Sequence, residues 1–207
     1  MTKEEILERE KRKYNHIHQR LNYGGKTGRI KQFAMAKDKL HIATRKAIKK
    51  SLNLLDVGCG KGAFMDWLRN NRPEIQVMGI DIAEEVKKHR SDLNIIIASA
   101  SDIPFGDSSF DFVCFQDGLE HIPVELEQDV LNEMYRVCKK YMYLTIAIHE
   151  VPHNDKIYSD MGLGAIHINM KTIKEWKNVF IKFVIENKIK YWLFDADKYW
   201  VFIYMEK

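Results

Sequence analysis

The chain has 207 residues and a formal net charge of +4, with 30% charged and 45% hydrophobic residues. This length suits one domain that can bury a substantial core. No apolar run approaches the roughly 18 residues needed to cross a bilayer, and the charged start MTKEEILEREK lacks a signal-peptide pattern, so we expect a cytoplasmic protein. The three cysteines are odd in number and scattered, which argues against a disulfide framework or a zinc site.

The charge is unevenly distributed along the chain. Residues 1–50 contain 15 Lys and Arg against 5 Asp and Glu, a balance of +10, whereas residues 51–207 contain 18 against 24, a balance of −6. A basic segment can bind nucleic acid or an acidic substrate, but charge runs are more often the solvated face of a helix. We therefore favour a helical lid and keep nucleic-acid binding as the alternative.

Residues 1–50 are predicted to form this lid ahead of the main domain, residues 51–207. The apolar residues of 3–22 fall near one face of a helix, and those of 33–47 recur at steps of three and four, which predicts a second helix. Four ring side chains of this segment are possible substrate or cofactor contacts: Tyr14, His16, His18 and Tyr23.

The stretch from Leu52 to Asp81 predicts a strand, a glycine turn, a helix and a second strand. A short apolar run ends at Gly58-Cys59-Gly60-Lys61-Gly62, after which Phe64, Trp67 and Leu68 take helical spacing. Glycines allow positive φ and close approach to a ligand, and a helix start offers free N–H groups. Asp81 ends the second strand about twenty residues later, where a carboxylate can accept hydrogen bonds from ribose hydroxyls. A nucleotide-like ligand is therefore expected.

A second segment narrows this expectation. Residues 99–105, SASDIPF, are followed closely by residues 107–113, DSSFDFV. Together with LLDVGCGKG and GID, and at the expected distance from them, this segment resembles the class I S-adenosylmethionine (SAM) dependent methyltransferases. The resemblance implies an α/β Rossmann-like fold, with a mostly parallel seven-stranded sheet, a terminal antiparallel hairpin and helices on both faces. It also implies SAM as the cofactor.

The same resemblance implies which residues bind the cofactor. They lie in the glycine turn, at the ends of strands two and four, and in the SASD segment: Asp56, Gly58, Cys59, Gly60, Gly62, Asp81, Ile82, Ser99, Ala100, Ser101, Asp102 and Gln116. Ser99 stands where the family often has an Asp that meets the adenine amino group. The sequence leaves open whether the side chain of Ser99 or that of Asp102 makes this contact. Backbone contacts from Ala100 and Ser101 are expected in either case.

The second half of the chain predicts the rest of the sheet. Residues 110–115 and 141–148 are expected strands, and the helix between them has a buried stripe of Val130, Leu131, Met134, Val137 and Cys138. Thr172-x-x-Glu175 is a capping-box pattern that opens a further helix, with Ile173, Trp176 and Phe180 facing the core. Residues 179–194 and 199–205 then predict the two strands of the terminal hairpin.

Three histidines are the candidate catalytic residues: His121, His149 and His167. Methyl transfer from a sulfonium mainly requires that two reactants be held in line, but an oxygen or nitrogen acceptor must also lose a proton. All three histidines follow strand four, on segments expected to border the ligand crevice of an open parallel sheet. His121 is the first choice, because the end of strand four lies nearest the methyl group in this fold.

Metal binding is considered and no metal ligand is assigned. Asp117-x-x-Glu120-His121 resembles the Glu-x-x-Glu-His stretch of ubiquinone-biosynthesis O-methyltransferases, in which these residues can gather a divalent cation. Leu-Glu-His is also widespread in metal-independent relatives. Residues 149–153, HEVPH, match the zinc-protease pattern H-E-x-x-H in letters, but Pro152 is incompatible with the helix which that site needs.

The favoured function is SAM-dependent methylation of a small-molecule or sugar acceptor, on oxygen. The Asp/Asn-Pro-Pro-Tyr/Phe pattern of enzymes that methylate base amino groups is absent, since residues 116–119 read QDGL at that place. Two alternatives stay open: an RNA methyltransferase that uses the basic segment, and a catalytically inactive SAM-binding scaffold. The sequence leaves the identity of the acceptor and the oligomeric state open.

Overall fold

A computed structural model describes residues 1–20, 38–148 and 165–207 of the chain. Its helices are α1 (Lys3–Arg20), α2 (Lys39–Lys49), α3 (Ala63–Asn71), α4 (Glu84–His89), α5 (Glu127–Val137) and α6 (Ile173–Glu186). Its strands are β1 (Asn53–Val57), β2 (Gln76–Asp81), β3 (Ile95–Ile97), β4 (Phe110–Gln116), β5 (Cys138–Ala147), β6 (Tyr191–Ala196) and β7 (Trp200–Glu206). Two short 3₁₀ turns, Leu119–His121 and Val124–Leu126, lie between β4 and α5.

The strands form one seven-stranded sheet in the order β3-β2-β1-β4-β5-β7-β6. Strands β1 to β5 pair in parallel, and β7 is antiparallel to both β5 and β6. The strand order reverses between β1 and β4, and in an open parallel sheet the ligand crevice lies outside the carboxyl ends of strands at this point. The predicted fold class is confirmed. Within the described ranges, no helix is long and apolar enough to cross a membrane.

The core occupies both faces of the sheet. On one face, Val130, Leu131 and Met134 of α5 and Trp176 and Phe180 of α6 are fully buried against the central strands. On the other face, residues of α2 and α3 cover the same strands, with Leu40, Ile48, Phe64 and Leu68 buried there. Each side of the sheet is thus covered by helices, as expected for a mostly parallel sheet.

Two boundary predictions and one burial prediction are wrong. Cys138 opens β5 and does not belong to the preceding helix. The run 179–186 is the end of α6, because its side chains follow helical spacing: Phe180, Phe183 and Val184 are buried, whereas Ile185 is 69% exposed. Ile173, the first residue of α6, is 40% exposed and does not face the core. The Thr172–Glu175 capping box itself is confirmed in both directions.

The first helix lies across the domain. It packs against α4, with the Lys11–Glu84 ion pair at 2.7 Å and a 3.2 Å hydrogen bond from the Glu85 N–H to the Asn15 side chain. Ile6 and Ile17 are the apolar anchors of this helix, and Ile17 is completely buried. Helix α2 packs instead against β7. Residues 21–37 lie outside the described part of the chain, and with them Tyr23 and the start of the predicted second helix.

Candidate functional site

The glycine turn follows β1 directly. Gly58, Gly60 and Gly62 all have positive φ, at 60°, 50° and 71°, a region that side chains with a Cβ rarely adopt. A Cβ added to Gly58 would also lie 2.7 Å from the Phe115 ring. The turn therefore needs glycine for both its conformation and its packing, and the sharp bend leaves the start of α3 facing the crevice.

Asp81 connects this turn to the end of β2. Its Oδ2 accepts a hydrogen bond from the Gly60 N–H and its Oδ1 accepts one from the Ala83 N–H, both at 2.9 Å. Burial raises the pKa of the carboxyl, while these backbone bonds oppose the rise. Each carboxylate oxygen has a second lone pair, so the group can still accept hydrogen bonds from ribose hydroxyls.

Asp56 lies in β1, two residues before the turn, and is also buried. The Cys114 thiol lies 3.5 Å from its Oδ1. Burial raises the pKa of Asp56 to about 7, and the negative charge of Asp81 adds to the rise. Cys59, Cys114 and Cys138 are free and buried.

The SASD segment forms a tight turn beside the crevice. The Ser101 N–H donates to Ser99 Oγ at 3.1 Å, and the Asp102 N–H donates to the Ser99 carbonyl at 3.1 Å. Ser101 is buried and Asp102 is exposed, whereas Ser99 and Ala100 are half-buried. Ile82 and Gln116, the predicted contacts at the ends of strands two and four, are also half-buried.

The chain turns sharply after β4. Asp117 has φ of 51°, uncommon for a residue with a side chain, and its N–H and carboxylate both hydrogen-bond to Thr145 of β5. Gly118 comes next, and a Cβ there would lie 1.7 Å from the Phe115 ring. Strain of this kind is common at functional sites. The turn directs Asp117 toward β5 and places the 3₁₀ turn Leu119–His121 beside it.

Glu120, His121 and His167 come together in this region. One ligand-type atom from each lies within 4.8 Å of the others, and the two imidazole rings have centroids 4.7 Å apart. Glu120 is fully buried, and its Oε1 accepts a hydrogen bond from the Ala147 N–H at 3.0 Å. Asp117, which the sequence pattern places with Glu120 and His121, does not belong to the cluster.

The backbone holds this cluster together. The N–H groups of Ile168 and Asn169 both donate to the Glu120 carbonyl at 3.0 Å, and His121 Nδ1 lies 2.9 Å from the Ile166 carbonyl. The Asn169 side chain also donates to Glu127 at 2.6 Å. The segment that carries His167 is thus fastened to the segment that carries His121, although the two are 46 residues apart in the sequence.

Helix α1 covers one side of this region. The Tyr14 ring meets the His121 ring edge-on, with centroids 6.1 Å apart, and Tyr14 also packs against buried apolar residues beside the glycine turn. His18 is buried, which lowers its pKa to about 4, and Lys61 and His89 add to this lowering while Glu85 opposes it. The contact between Tyr14 and His121 was not predicted, because no sequence spacing relates the two residues.

An open groove of about 810 Å³ is lined by residues that neighbour His121 and His167 in the sequence, together with residues of α1. Its walls are α1 and the segments that follow His121 and surround His167, and its lining residues are Arg9, Glu10, Arg12, Lys13, His16, Pro123, Val124, Glu125, Ala165 and Ile168. Val124 and Ile168 are exposed apolar residues. The size is in the range of small-molecule sites. His149 and His153 lie outside the described residues.

Comparison with known proteins connects this geometry to a family. Residues 55–146 match a family model described as a methyltransferase domain. Demethylmenaquinone methyltransferase of Listeria welshimeri is 35% identical over 117 residues, which is 49% of this chain and 49% of that protein. The chain therefore spans about half the length of the curated relatives it matches.

Solved structures show the same fold over more of the chain. The PH0226 protein of Pyrococcus horikoshii has a TM-score of 0.61 at 15% identity, covering 93% of this chain and 97% of that one. A SAM-dependent methyltransferase of Methanosarcina mazei has a TM-score of 0.58 at 21% identity, covering 80% and 96%. The family match confirms the predicted resemblance and, with it, SAM as the cofactor of the domain.

Proposed function

We propose that this chain, whose residues 55–146 are a class I SAM-dependent methyltransferase domain, transfers a methyl group to oxygen of a small-molecule acceptor. The observation that carries the proposal is the position of Glu120, His121 and His167. They form a compact polar cluster, in which Glu120 and His121 follow β4, a strand at the switch point of the sheet. The sequence-based assignment of individual site residues is part of this proposal.

The residues around the turn fit SAM. Gly58, Gly60 and Gly62 let the backbone approach the methionine end of the cofactor, and the buried carboxylate of Asp56 lies just behind them. Asp81 takes the ribose hydroxyls through the lone pairs that its backbone bonds leave available. In the SASD turn, Ser101 N–H already bonds to Ser99 Oγ, so we assign the adenine contact to the Ala100 N–H and the Asp102 carboxylate. The walls of the proposed SAM site are completed by Cys59, Gln116 and Ile82.

When bound, SAM supplies an electrophilic methyl group on a sulfonium. The protein has to hold the acceptor oxygen in line with that group, exclude water and promote loss of the acceptor proton. Helix α1 covers the site through Tyr14 and His18, so we assign residues 1–50 the role of a lid. The lone pairs of Glu120, His121 and His167 promote proton loss at the acceptor. His149 stays a proposed contributor on sequence grounds.

A small acceptor is supported by the groove and by the relatives. The groove, whose lining includes sequence neighbours of His121 and His167, has the volume of a small-molecule site, with apolar Val124 and Ile168 in its lining. The relative from Listeria is named for demethylmenaquinone, a small molecule. By contrast, many cations of α1 already pair with carboxylates, including Arg9 with Glu10 and Arg12 with Glu8. A paired cation contributes less to nucleic-acid binding, so RNA is the less favoured acceptor.

The test is a methyl-transfer assay on the full chain. The protein is incubated with SAM carrying an isotopically labelled methyl group and separate panels of quinols, catechols, sugars and RNA, and S-adenosylhomocysteine is measured. We expect turnover with one of the small-molecule panels and an O-methyl product by mass spectrometry and NMR. The variants His121→Asn and His167→Asn should lower kcat at least tenfold, whereas His89→Asn, at an exposed position of α4, should not.

Other outcomes separate the competing functions. Turnover only with RNA, with a steep salt dependence, would replace the small-molecule proposal by an RNA methyltransferase. Micromolar or tighter SAM binding without turnover on any panel would favour an inactive scaffold. A product methylated on nitrogen or carbon would keep the enzyme class and overturn the assignment of the acceptor atom.

A further inference from the structure

We propose that Glu120, His121 and His167 bind one divalent transition-metal cation. These residues supply one carboxylate oxygen and two imidazole nitrogens, all within 4.8 Å of one another. Metal–ligand bonds are about 2.0–2.2 Å long for imidazole nitrogen and carboxylate oxygen. Ligand atoms around one ion then lie about 3 to 4.4 Å apart, so atoms within 4.8 Å of one another reach coordination distance with shifts of up to about 1 Å.

His121 is already oriented as a metal ligand. Its Nδ1 lies 2.9 Å from the Ile166 carbonyl, and a carbonyl oxygen can only accept, so Nδ1 carries the proton. In the neutral ring, the lone pair is then on Nε2. Metal-binding histidines almost always donate their other N–H to a carbonyl or carboxylate in this way, which fixes both the tautomer and the ring orientation.

Glu120 supplies the negative charge. The residue is fully buried, and its Oε1 is held by the Ala147 N–H, so the carboxylate has a defined orientation. Placing a carboxylate in the interior costs several kcal/mol unless a positive charge compensates it. A divalent cation between Glu120 and two neutral imidazoles provides that charge. Two imidazolium rings with centroids 4.7 Å apart would instead repel each other.

The ligand segments are preorganised by bonds that do not involve the ligand atoms. The Ile168 and Asn169 N–H groups donate to the Glu120 carbonyl, and the Asn169 side chain bonds to Glu127, which Lys171 also contacts at 2.5 Å. These bonds join the two segments across 46 residues, so the three ligands are brought together before any ion binds. Preorganisation of this kind reduces the ordering cost of binding.

The ligand set selects the kind of ion. Two imidazole nitrogens and one carboxylate suit Mn²⁺, Fe²⁺, Co²⁺ or Zn²⁺ better than Mg²⁺ or Ca²⁺, which prefer oxygen ligands. Three protein ligands leave coordination positions for water or for an acceptor oxygen, as in catalytic metal sites. In the proposed function, the bound ion would replace the lone pairs of Glu120, His121 and His167 as the group that promotes proton loss, because it would lower the pKa of an acceptor hydroxyl. This role rests on the proposed function, but ion binding itself does not.

The experiment measures ion binding without any methyl transfer. The full chain is stripped of metal with chelator and dialysed. It is then titrated with CoCl₂, and binding is monitored by the visible absorption of bound Co²⁺ and by calorimetry. The titration is repeated with MnCl₂. We expect one saturable ion per chain. The variants Glu120→Gln, His121→Asn and His167→Asn should each weaken Co²⁺ affinity at least tenfold. His89→Asn is the control, because His89 is exposed on α4 and does not belong to the cluster of Glu120, His121 and His167.

SAM binding by the same variants shows whether each one is folded. A variant that binds SAM with wild-type affinity and has lost Co²⁺ supports the site. Absence of saturable binding in the wild type, or a full Co²⁺ stoichiometry retained at wild-type affinity in all three variants, would overturn it. Co²⁺ binding without methyl transfer would leave the metal site standing and count against the proposed function, so the two failures are distinguishable.

Discussion

Asp81 accepts a 2.9 Å hydrogen bond from the N–H of Gly60, which lies 21 residues earlier in the chain. The bond joins the end of β2 to the glycine turn after β1, so the carboxylate shapes the turn as well as facing the crevice. One side chain thus links the two segments that carry the family resemblance. In the proposed function, cofactor affinity therefore depends on Asp81 in two ways.

Asp81→Ala should weaken SAM binding by about 10- to 100-fold, since hydrogen bonds to a charged group contribute about 1.5–3 kcal/mol. Asp81→Asn should weaken it less, because one oxygen acceptor stays in place. Calorimetry on the purified variants measures the affinities, and Asp195→Ala, an exposed carboxylate on β6, is the control. Unchanged affinity in Asp81→Ala would exclude the ribose assignment.

Asp56 should make the protein less stable as the pH rises. Its folded pKa is about 7, above the ordinary value near 3.8, so the folded state favours the protonated carboxyl. That stability is fully present below pH 3.8 and is lost as the pH rises through 7, by up to about 4 kcal/mol. Asp56→Asn should remove this dependence.

Urea unfolding between pH 5 and pH 8.5 measures the effect. The free energy of unfolding of Asp56→Asn, relative to the wild type, should increase from pH 5 to about pH 7 and level off at higher pH. Asp195→Asn should show no such trend. A parallel pH profile in the wild type and Asp56→Asn would mean that Asp56 is ionised throughout in the folded protein.

Gly118→Ala should destabilise the protein by about 1–3 kcal/mol, the usual cost of overpacking. The added Cβ would lie 1.7 Å from Cε2 of Phe115, and the ring is buried in the core. Thermal unfolding measures the change. Gly106→Ala is the matched control, because a Cβ there meets only Ser109 Oγ at 3.6 Å. In a Phe115→Leu background, Gly118→Ala should cost less stability than it does in the wild type, because the ring that the added Cβ would meet is absent.

Acid should release α1 from the domain through His18. Burial lowers the pKa of His18 from 6.5 to about 4, so its contribution is present above pH 6.5 and is lost as the pH falls toward 4. The loss reaches about 3 kcal/mol when α1 stays docked, which favours release of the helix instead. Limited proteolysis between pH 7.5 and pH 5 should therefore cut α1 faster at low pH.

The matched variants address the cause of that release. His18→Leu should make the proteolysis rate nearly independent of pH, whereas His16→Gln, on the same helix, should keep the wild-type dependence. If His18→Leu shows the same acceleration in acid as the wild type, another group controls the docking of α1.

Much of the fold could be predicted from local patterns. The short apolar runs and the helical steps of three and four place most strands and helices correctly, because these patterns depend on neighbouring residues alone. The wrong strand prediction for residues 179–186 also arises because these patterns depend on neighbouring residues alone. A β-branched and aromatic run is typical of a strand, but the burial of Phe180, Phe183 and Val184 against the sheet stabilises a helix there. Tertiary packing overrides the local preference.

The sequence by itself determined the proposed cofactor side of this protein, because a turn with three glycines and a carboxylate after the next strand are local patterns, which the structure joins through the bond from Gly60 to Asp81. The acceptor side was decided only by the tertiary structure. His121 and His167 are 46 residues apart, and no periodicity relates them to each other or to Tyr14. Their contact depends on backbone bonds from Ile168 and Asn169 to Glu120, and on where α1 packs. Such long-range contacts follow from the arrangement of whole segments, which local patterns do not encode.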